Sequence, residues 1–282
     1  MHGVVALRAW HDRFTRFQPT SELSRLNADP SPTVRVSRTM GLLLRAVGHA
    51  GRASGGLVDA TLLDDLREAG YTDHHDGRGV PLRDALAAAP TRVPATPRPG
   101  GCWDEVRYDA WRGWATRPPG LGIDGGGLVK GLAADVLAAR LVDYDRFVVN
   151  CCGDLRIGGR SGDRRPVRIE SPFDGREIHR FDITDDAVAT SGIGRRSWTD
   201  VEGRPAHHLL DPGTGRPAFT GVVQASALAP TALEAEWRSK AALLSGPEGG
   251  PRWLAHGGLL VLDDGTPVVA TADRTRSEPA CR

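Results

Sequence analysis

Three short stretches carry residue types that could do chemistry. In "GLGIDGGGLVKGLAAD", Asp124 stands at the end of an expected strand, three glycines follow, and Lys130 opens a helix. Glycines let backbone N–H groups approach an anion, the helix N-terminus adds partial positive charge and the ammonium adds a full one, so a phosphate suits this stretch. The spacing is neither that of the Walker loop nor that of the dinucleotide Gly-x-Gly-x-x-Gly fingerprint, and a tight strand-to-helix turn with an exposed lysine is the equal alternative. In "HHLLDPGTGRP", His208 and Asp211 precede a Pro-Gly turn. A histidine titrating near neutrality could take the proton of a hydroxyl nucleophile, whereas His207 reads as part of a turn in which Asp211 bonds its own backbone. In "AEWRSKA", Glu236 and Lys240 stand in the order favoured for a helical salt bridge, worth about 0.2–0.5 kcal/mol. His74-His75, between Asp73 and Asp76, could bind a metal but reads as a solvated pair in a glycine-rich loop.

Of 36 basic residues, only Lys130 and Lys240 are lysines. Arginine serves everywhere else, so the two retained ammoniums point to function, because ammonium and guanidinium are not interchangeable at a phosphate.

The elements that must position these groups follow from periodicity and punctuation. "VVALRAWHDRFTRF" places Val5, Trp10, Phe14 and Phe17 at mostly helical spacing, and Gln18-Pro19 ends that helix. "TSELSRLN" is a capped turn or short helix, residues 38–50 form a second helix, and "PATPRPGG" is a surface loop. Strands are expected in "WDEVRYDA", "GLGID", "FVVN", "PVRIES", "HRFDIT" and "AVATS", and a hairpin in "GLLVLDDGTPVVAT" around Asp264-Gly265. Between them run a helix over about 128–142 and the late helix "TALEAEWRSKAALLS", opened by a Thr231/Glu234 capping box and stopped at Gly246-Pro247. On the wheel of the late helix, Leu233, Trp237, Ala241 and Leu244 form the buried stripe, with Lys240 on its shoulder and Glu236 just outside. Without repeats or long linkers, the pattern is one α+β domain over 1–274 with a frayed tail, 275–282.

Composition excludes several function classes. With 36 basic and 35 acidic residues among 282, the chain has no global field to attract nucleic acid or an anionic membrane. Cys102, Cys151, Cys152 and Cys281 match no zinc spacing and read as reduced thiols. The N-terminus has no secretory apolar core, and no run of about 18 apolar residues occurs, so a cytoplasmic protein without membrane insertion is expected.

Seven stretches in order, "RFQPTSELSRLN", "GLVDAT", "GIDGGGLVKGLAAD", "NCCGDLRIGG", "AVATSG", "HHLLDPGTGRP" and "TALEAEWRSKAALL", make the chain resemble the FAD:protein FMN transferases, the ApbE family. The resemblance implies a T-fold-like α+β domain of mixed or antiparallel sheets packed with helices. It also implies a transferase that binds FAD and moves FMN onto a threonine hydroxyl of a target flavoprotein, making a phosphodiester and releasing AMP. A flavin-binding carrier or sensor without transfer, or an FAD pyrophosphatase, is the alternative. Carried over by position, Phe17, Val58, Asp59, Asp124, Lys130, His208 and Leu209 contact FAD, and His208 and Lys240 are the catalytic candidates, His208 as the base. The family's magnesium positions fall on Gly127 (a backbone carbonyl), Glu236 and Lys240, with Ser239 beside them. Here the sequence departs from the family pattern: an ammonium at 240 has no lone pair for a metal, and Lys240 stands in for part of the magnesium charge. The family's Gly-Gly-Asp is Cys152-Gly153-Asp154 here, and its usual first strand with an "MGT" turn is missing.

Overall fold

Alanine and serine form the centre of the main sheet, which is why its longest strand escapes a sequence reading. Val222–Ala229 carries the run "VVQASALA", with low β-propensity and no alternation, because both of its faces are covered. It lies third from one edge of a six-stranded sheet. In spatial order the strands are Pro267–Ala270, Gly258–Leu262, Val222–Ala229, Ala187–Gly192, Asp154–Gly158 and Phe147–Cys151. Every neighbouring pair is antiparallel. The computed structural model describes residues 2–73 and 79–272. His74-His75, Cys281 and the expected tail 275–282 lie outside the described residues.

Two helices, Val129–Ala138 and Ala232–Leu244, pack on one face of this sheet. Their contact is made of small residues: Ala133, Ala134 and Ala138 from the first, Ala232 and Ala235 from the second, and Ala187, Ala189 and Ala229 from the strands beneath. On the other face, Ile157 and Val188 share a core with Val167, Ile169, Phe181 and Ile183 of the ribbon formed by Arg165–Glu170 and Glu177–Ile183. The expected α+β class is the observed one.

The two helices are locked by polar contacts as well as by packing. Asp135 accepts the N–H groups of Ala232 at 2.8 Å and Leu233 at 2.9 Å, so one helix caps the start of the other. Thr231 Oγ1 accepts from the Glu234 N–H at 3.2 Å, while the Glu234 carboxylate turns to Arg238 Nε at 2.7 Å, leaving the expected capping box half formed. The helices approach so closely at Gly131 that a Cβ there would meet the Ala232 carbonyl oxygen at 2.4 Å. Alanine gains about 1 kcal/mol in helix propensity over glycine. A clash with backbone cannot be relieved by a rotamer, so Gly131→Ala is expected to lower stability by about 1–3 kcal/mol net, read as a lower urea midpoint.

Several expected elements shift. The first helix spans His2–Phe14, so Phe17 lies beyond it, and Val5 is exposed. The Val129–Ala138 helix ends four residues short of the expected limit. "GLGID" is not a strand: the Ile123 N–H donates to Asn27 Oδ1 at 2.9 Å and the Asn27 amide donates to the Ile123 carbonyl at 2.8 Å, so a side chain replaces the ladder. Glu236, expected outside the buried stripe, is 1% exposed, because the late helix is covered on nearly all sides.

Candidate functional site

The glycine turn is shaped by what crosses it. Asp124 is held by its N–H on the Ala60 carbonyl at 2.8 Å, and its Oδ1 accepts the Gly126 N–H at 2.8 Å, which closes the turn. Its Oδ2 pairs with Arg16 Nε at 2.9 Å. A Cβ at Gly127 would lie 2.9 Å from Lys240 Cε, so this glycine leaves room for the lysine stem to lie across the turn.

That turn opens into a cavity of about 450 Å³. Phe17, Val58, Asp59, Asp124, Gly127, Lys130, His208, Leu209 and Lys240 all line it. Residues as far apart in sequence as Phe17 and Lys240 meet in one pocket. Glu236 and Ser239 are not brought to its surface. Ser239 is fully buried, its hydroxyl 2.8 Å from Ser191 Oγ and donating to the Glu236 carbonyl at 3.0 Å.

Behind the lining, both lysines of the chain converge on one carboxylate. Glu236 Oε1 lies 3.5 Å from Lys130 Nζ and 3.6 Å from Lys240 Nζ. Glu236 Oε2 accepts the Gly131 N–H at 2.8 Å, and Lys130 also donates to Asp154 Oδ2. Burial opposes ionisation of Glu236, but Lys240, Lys130 and the Gly131 N–H outweigh it and draw the pKa below the usual value. Burial, followed by repulsion from Glu236, pushes Asp154 up to about 6. Burial pulls Lys240 down against the pull of Glu236, while Lys130 is raised because Glu236 and Asp154 exceed its desolvation. Two cations and two carboxylates balance, with the carboxylates fully buried and the ammoniums on the cavity wall.

The expected surface pair of Glu236 and Lys240 is therefore a buried, shared one. A divalent cation does not fit this arrangement. Any ion reaching Glu236 Oε1 would sit beside two ammoniums, and at an effective dielectric of about 20 a divalent ion 4 Å from one of them is repelled by roughly 8 kcal/mol. Among the described residues no group of three His, Cys, Asp or Glu side chains is placed to hold a metal.

The adjacent histidines divide. His207 is 1% exposed, its ring packs edge-on against Phe219 at 4.7 Å, and its Nδ1 accepts the Leu209 N–H at 3.3 Å. It holds the turn, as its sequence context indicated, and burial depresses its pKa to about 3. His208 instead faces the cavity. Burial, then Arg196, His207 and Lys240, hold its pKa well below the usual value, so the imidazole is neutral near pH 7. Its Nδ1 has no hydrogen-bond partner among the described residues. A neutral ring can take a proton, and the partnerless Nδ1, buried in this structure, would have to be reached by a bound hydroxyl to do so.

For His207 the folded-state pKa lies below the unfolded one, so the unfolded chain binds more protons between about pH 6.5 and 3 and stability falls with acid there. His207→Asn, which can still accept the Leu209 N–H, is expected to flatten that slope by up to about 1.4 kcal/mol per pH unit, measured as urea midpoints from pH 7 to 4.

Sequence reasoning missed Arg16, Tyr71, Arg196 and Cys152, all on the cavity wall. Arg16 lies 4.4 Å from the ring centroids of both Phe17 and Tyr71, and donates to the Tyr71 carbonyl at 2.6 Å. In a chain saturated with arginine, neither Arg16 nor Arg196 stands out. Asp59 carries a different signal. Its Oδ1 accepts from the Thr61 N–H at 2.7 Å and from the Thr61 hydroxyl, burial raises its pKa, and its buried Oδ2 has no partner among the described residues.

The model of the ApbE family matches residues 3–262. The FAD:protein FMN transferase of Escherichia coli K12 is 33% identical over 150 residues, covering 51% of this chain and 42% of that protein. The corresponding protein of Vibrio cholerae is 27% identical over 248 residues, covering 85% of this chain and 71% of its own length. The chain thus spans less than half the length of the E. coli relative it matches. Among solved structures, the ApbE protein of Thermotoga maritima superposes with a TM-score of 0.76 at 24% identity, covering 95% of this chain and 87% of that one. The flavin transferase ApbE of Vibrio cholerae gives 0.71 at 22%, covering 97% and 88%. Both likenesses establish the fold.

Proposed function

We propose, because the chain belongs to the ApbE family, that it is an FAD:protein FMN transferase moving FMN from FAD onto a threonine hydroxyl of a target flavoprotein. One observation supports this most strongly: Lys130, Lys240 and Arg196 line the same cavity as the neutral His208 and the aromatic Phe17 and Tyr71. A pyrophosphate needs the cations, a flavin ring needs the apolar wall, and an attacking hydroxyl needs the base.

In this reading the glycine turn and the cationic wall seat the pyrophosphate, while Phe17, Val58 and Leu209 receive the flavin. Asp59 Oδ2 serves as a hydrogen-bond acceptor for the bound nucleotide. The threonine hydroxyl gives its proton to His208 as its oxygen attacks the phosphorus on the riboflavin side. The bond from that phosphorus to the bridging oxygen breaks, and AMP leaves carrying the bridging oxygen. Positive charge fixed by Lys130, Lys240 and Arg196 stabilises the negative charge that builds on the phosphate oxygens and the leaving group.

The test is incubation with FAD and a flavoprotein bearing an acceptor threonine, followed by intact mass and nucleotide chromatography. Gain of one FMN less water, with one AMP per adduct, is the expected result. Intact FAD with no adduct would select a carrier or sensor, and AMP without adduct a pyrophosphatase.

A further inference from the structure

We infer that the Lys240 ammonium, and not a divalent ion, supplies the fixed positive charge at the pyrophosphate, so that FAD binding and transfer at this site are metal-independent. The inference rests on the transferase reading for its ligand, and on four local observations for its chemistry. The lysine stem crosses the glycine turn at Gly127, where a Cβ would come within 2.9 Å of Cε. Its ammonium is oriented by Glu236 at 3.6 Å from a position on the cavity wall. Glu236, the nearest carboxylate, already faces Lys130 through the same oxygen and the Gly131 N–H through the other. Ser239, the remaining oxygen donor on that helix turn, is committed to Ser191 and to the Glu236 carbonyl.

A metal site needs oxygen lone pairs converging on a point. Here the convergence is of N–H donors instead, which suits an anion and rejects a cation. One ammonium carries half the charge of a divalent ion, but Lys130 lies 3.5 Å from the same Glu236 oxygen, so a second ammonium on the cavity wall stands beside Lys240. An incoming pyrophosphate also favours the charged form of Lys240, offsetting its burial. Glu236 and Asp154 keep the empty pocket near neutral, so that two ammoniums can stand together on its wall before the ligand arrives.

The experiment reads FAD affinity from quenching of flavin fluorescence, in excess EDTA and in millimolar magnesium, and separately titrates the protein with Mn²⁺ by electron paramagnetic resonance. The wild-type chain is expected to bind FAD equally in both buffers and to show no bound Mn²⁺. Lys240→Thr is expected to bind FAD about tenfold or more weakly in EDTA, the loss of one charge-assisted contact, and to regain affinity with magnesium. The same variant should acquire one Mn²⁺ site. Lys240→Gln provides a second substitution should the threonine variant fail to fold, with the same loss in EDTA. Wild-type FAD binding that requires metal, or stoichiometric Mn²⁺ on the wild-type protein, overturns the inference. An FMN adduct formed only with magnesium also overturns it and leaves the transferase reading standing. Metal-independent FAD binding without adduct in either buffer overturns the transferase reading and leaves standing only the assignment of Lys240, and not a metal, at the pyrophosphate, and no FAD binding in either buffer ends both.

Discussion

His208→Gln is expected to slow FMN transfer by about 10²–10⁴-fold with a much smaller loss of FAD affinity, the signature of a lost general base at a residue that also touches the ligand. Glutamine can still hydrogen-bond from that position but cannot accept the hydroxyl proton. The neutral state of His208 sets the pH dependence. Burial and the neighbouring cations hold its pKa well below the usual value, so the base form is retained as pH falls through 6.5. The acidic limb of the wild-type rate should therefore lie below that of an ordinary histidine, and His208→Gln should remove it. Single-turnover mass spectrometry of the adduct between pH 5 and 8 measures both. A decrease of only a few fold would assign the proton to another acceptor. His207→Asn is the control, since its ring is enclosed by the turn and Phe219 and its loss should register in stability before rate.

How much of this was legible in the sequence depends on what each element hides. Helices with caps and punctuation were readable: Thr231 caps the late helix as expected, and the helix read from residue 38 begins there, behind a Ser37 cap. The hairpin at Asp264-Gly265 was readable because its turn demands a glycine, which has φ 92. The strand Val222–Ala229 was not, since a strand covered on both faces by close-packed alanines loses the alternation that announces a strand. "GLGID" failed for a different reason, since the N–H and carbonyl of Ile123 bond the Asn27 side chain nearly a hundred residues away instead of a neighbouring strand.

The pocket residues came from motif order rather than periodicity, and nine of them share one cavity. Periodicity misplaced Glu236 because a helical wheel assumes one wet face. The late helix has none there: the Val129–Ala138 helix covers the side on which Glu236 projects, through the close approach that Gly131 permits. Asp135, which fixes the register between these two helices, carries no local signal at all, since its partners are N–H groups 97 and 98 residues away.

The burial of Glu236 makes it the most sensitive position of the charge cluster. Glu236→Gln is expected to destabilise the chain by up to about 3 kcal/mol at pH 7, because it leaves two ammoniums, largely buried at the cavity wall, facing one carboxylate. Gln would keep the Gly131 N–H bond, so the loss reports charge rather than a missing hydrogen bond. A paired substitution separates these effects. Glu236→Gln with Lys240→Met removes one charge of each sign, leaves Lys130 with Asp154, and should recover most of the lost stability while abolishing the cation across the glycine turn. Urea unfolding of the wild type, both single variants and the double variant closes the cycle. A double variant no more stable than Glu236→Gln would show that the two side chains are not electrostatically coupled. The expected outcome, restored folding without restored FAD affinity, would separate the carboxylate's role in tolerating buried lysines from the role of Lys240 at the phosphate.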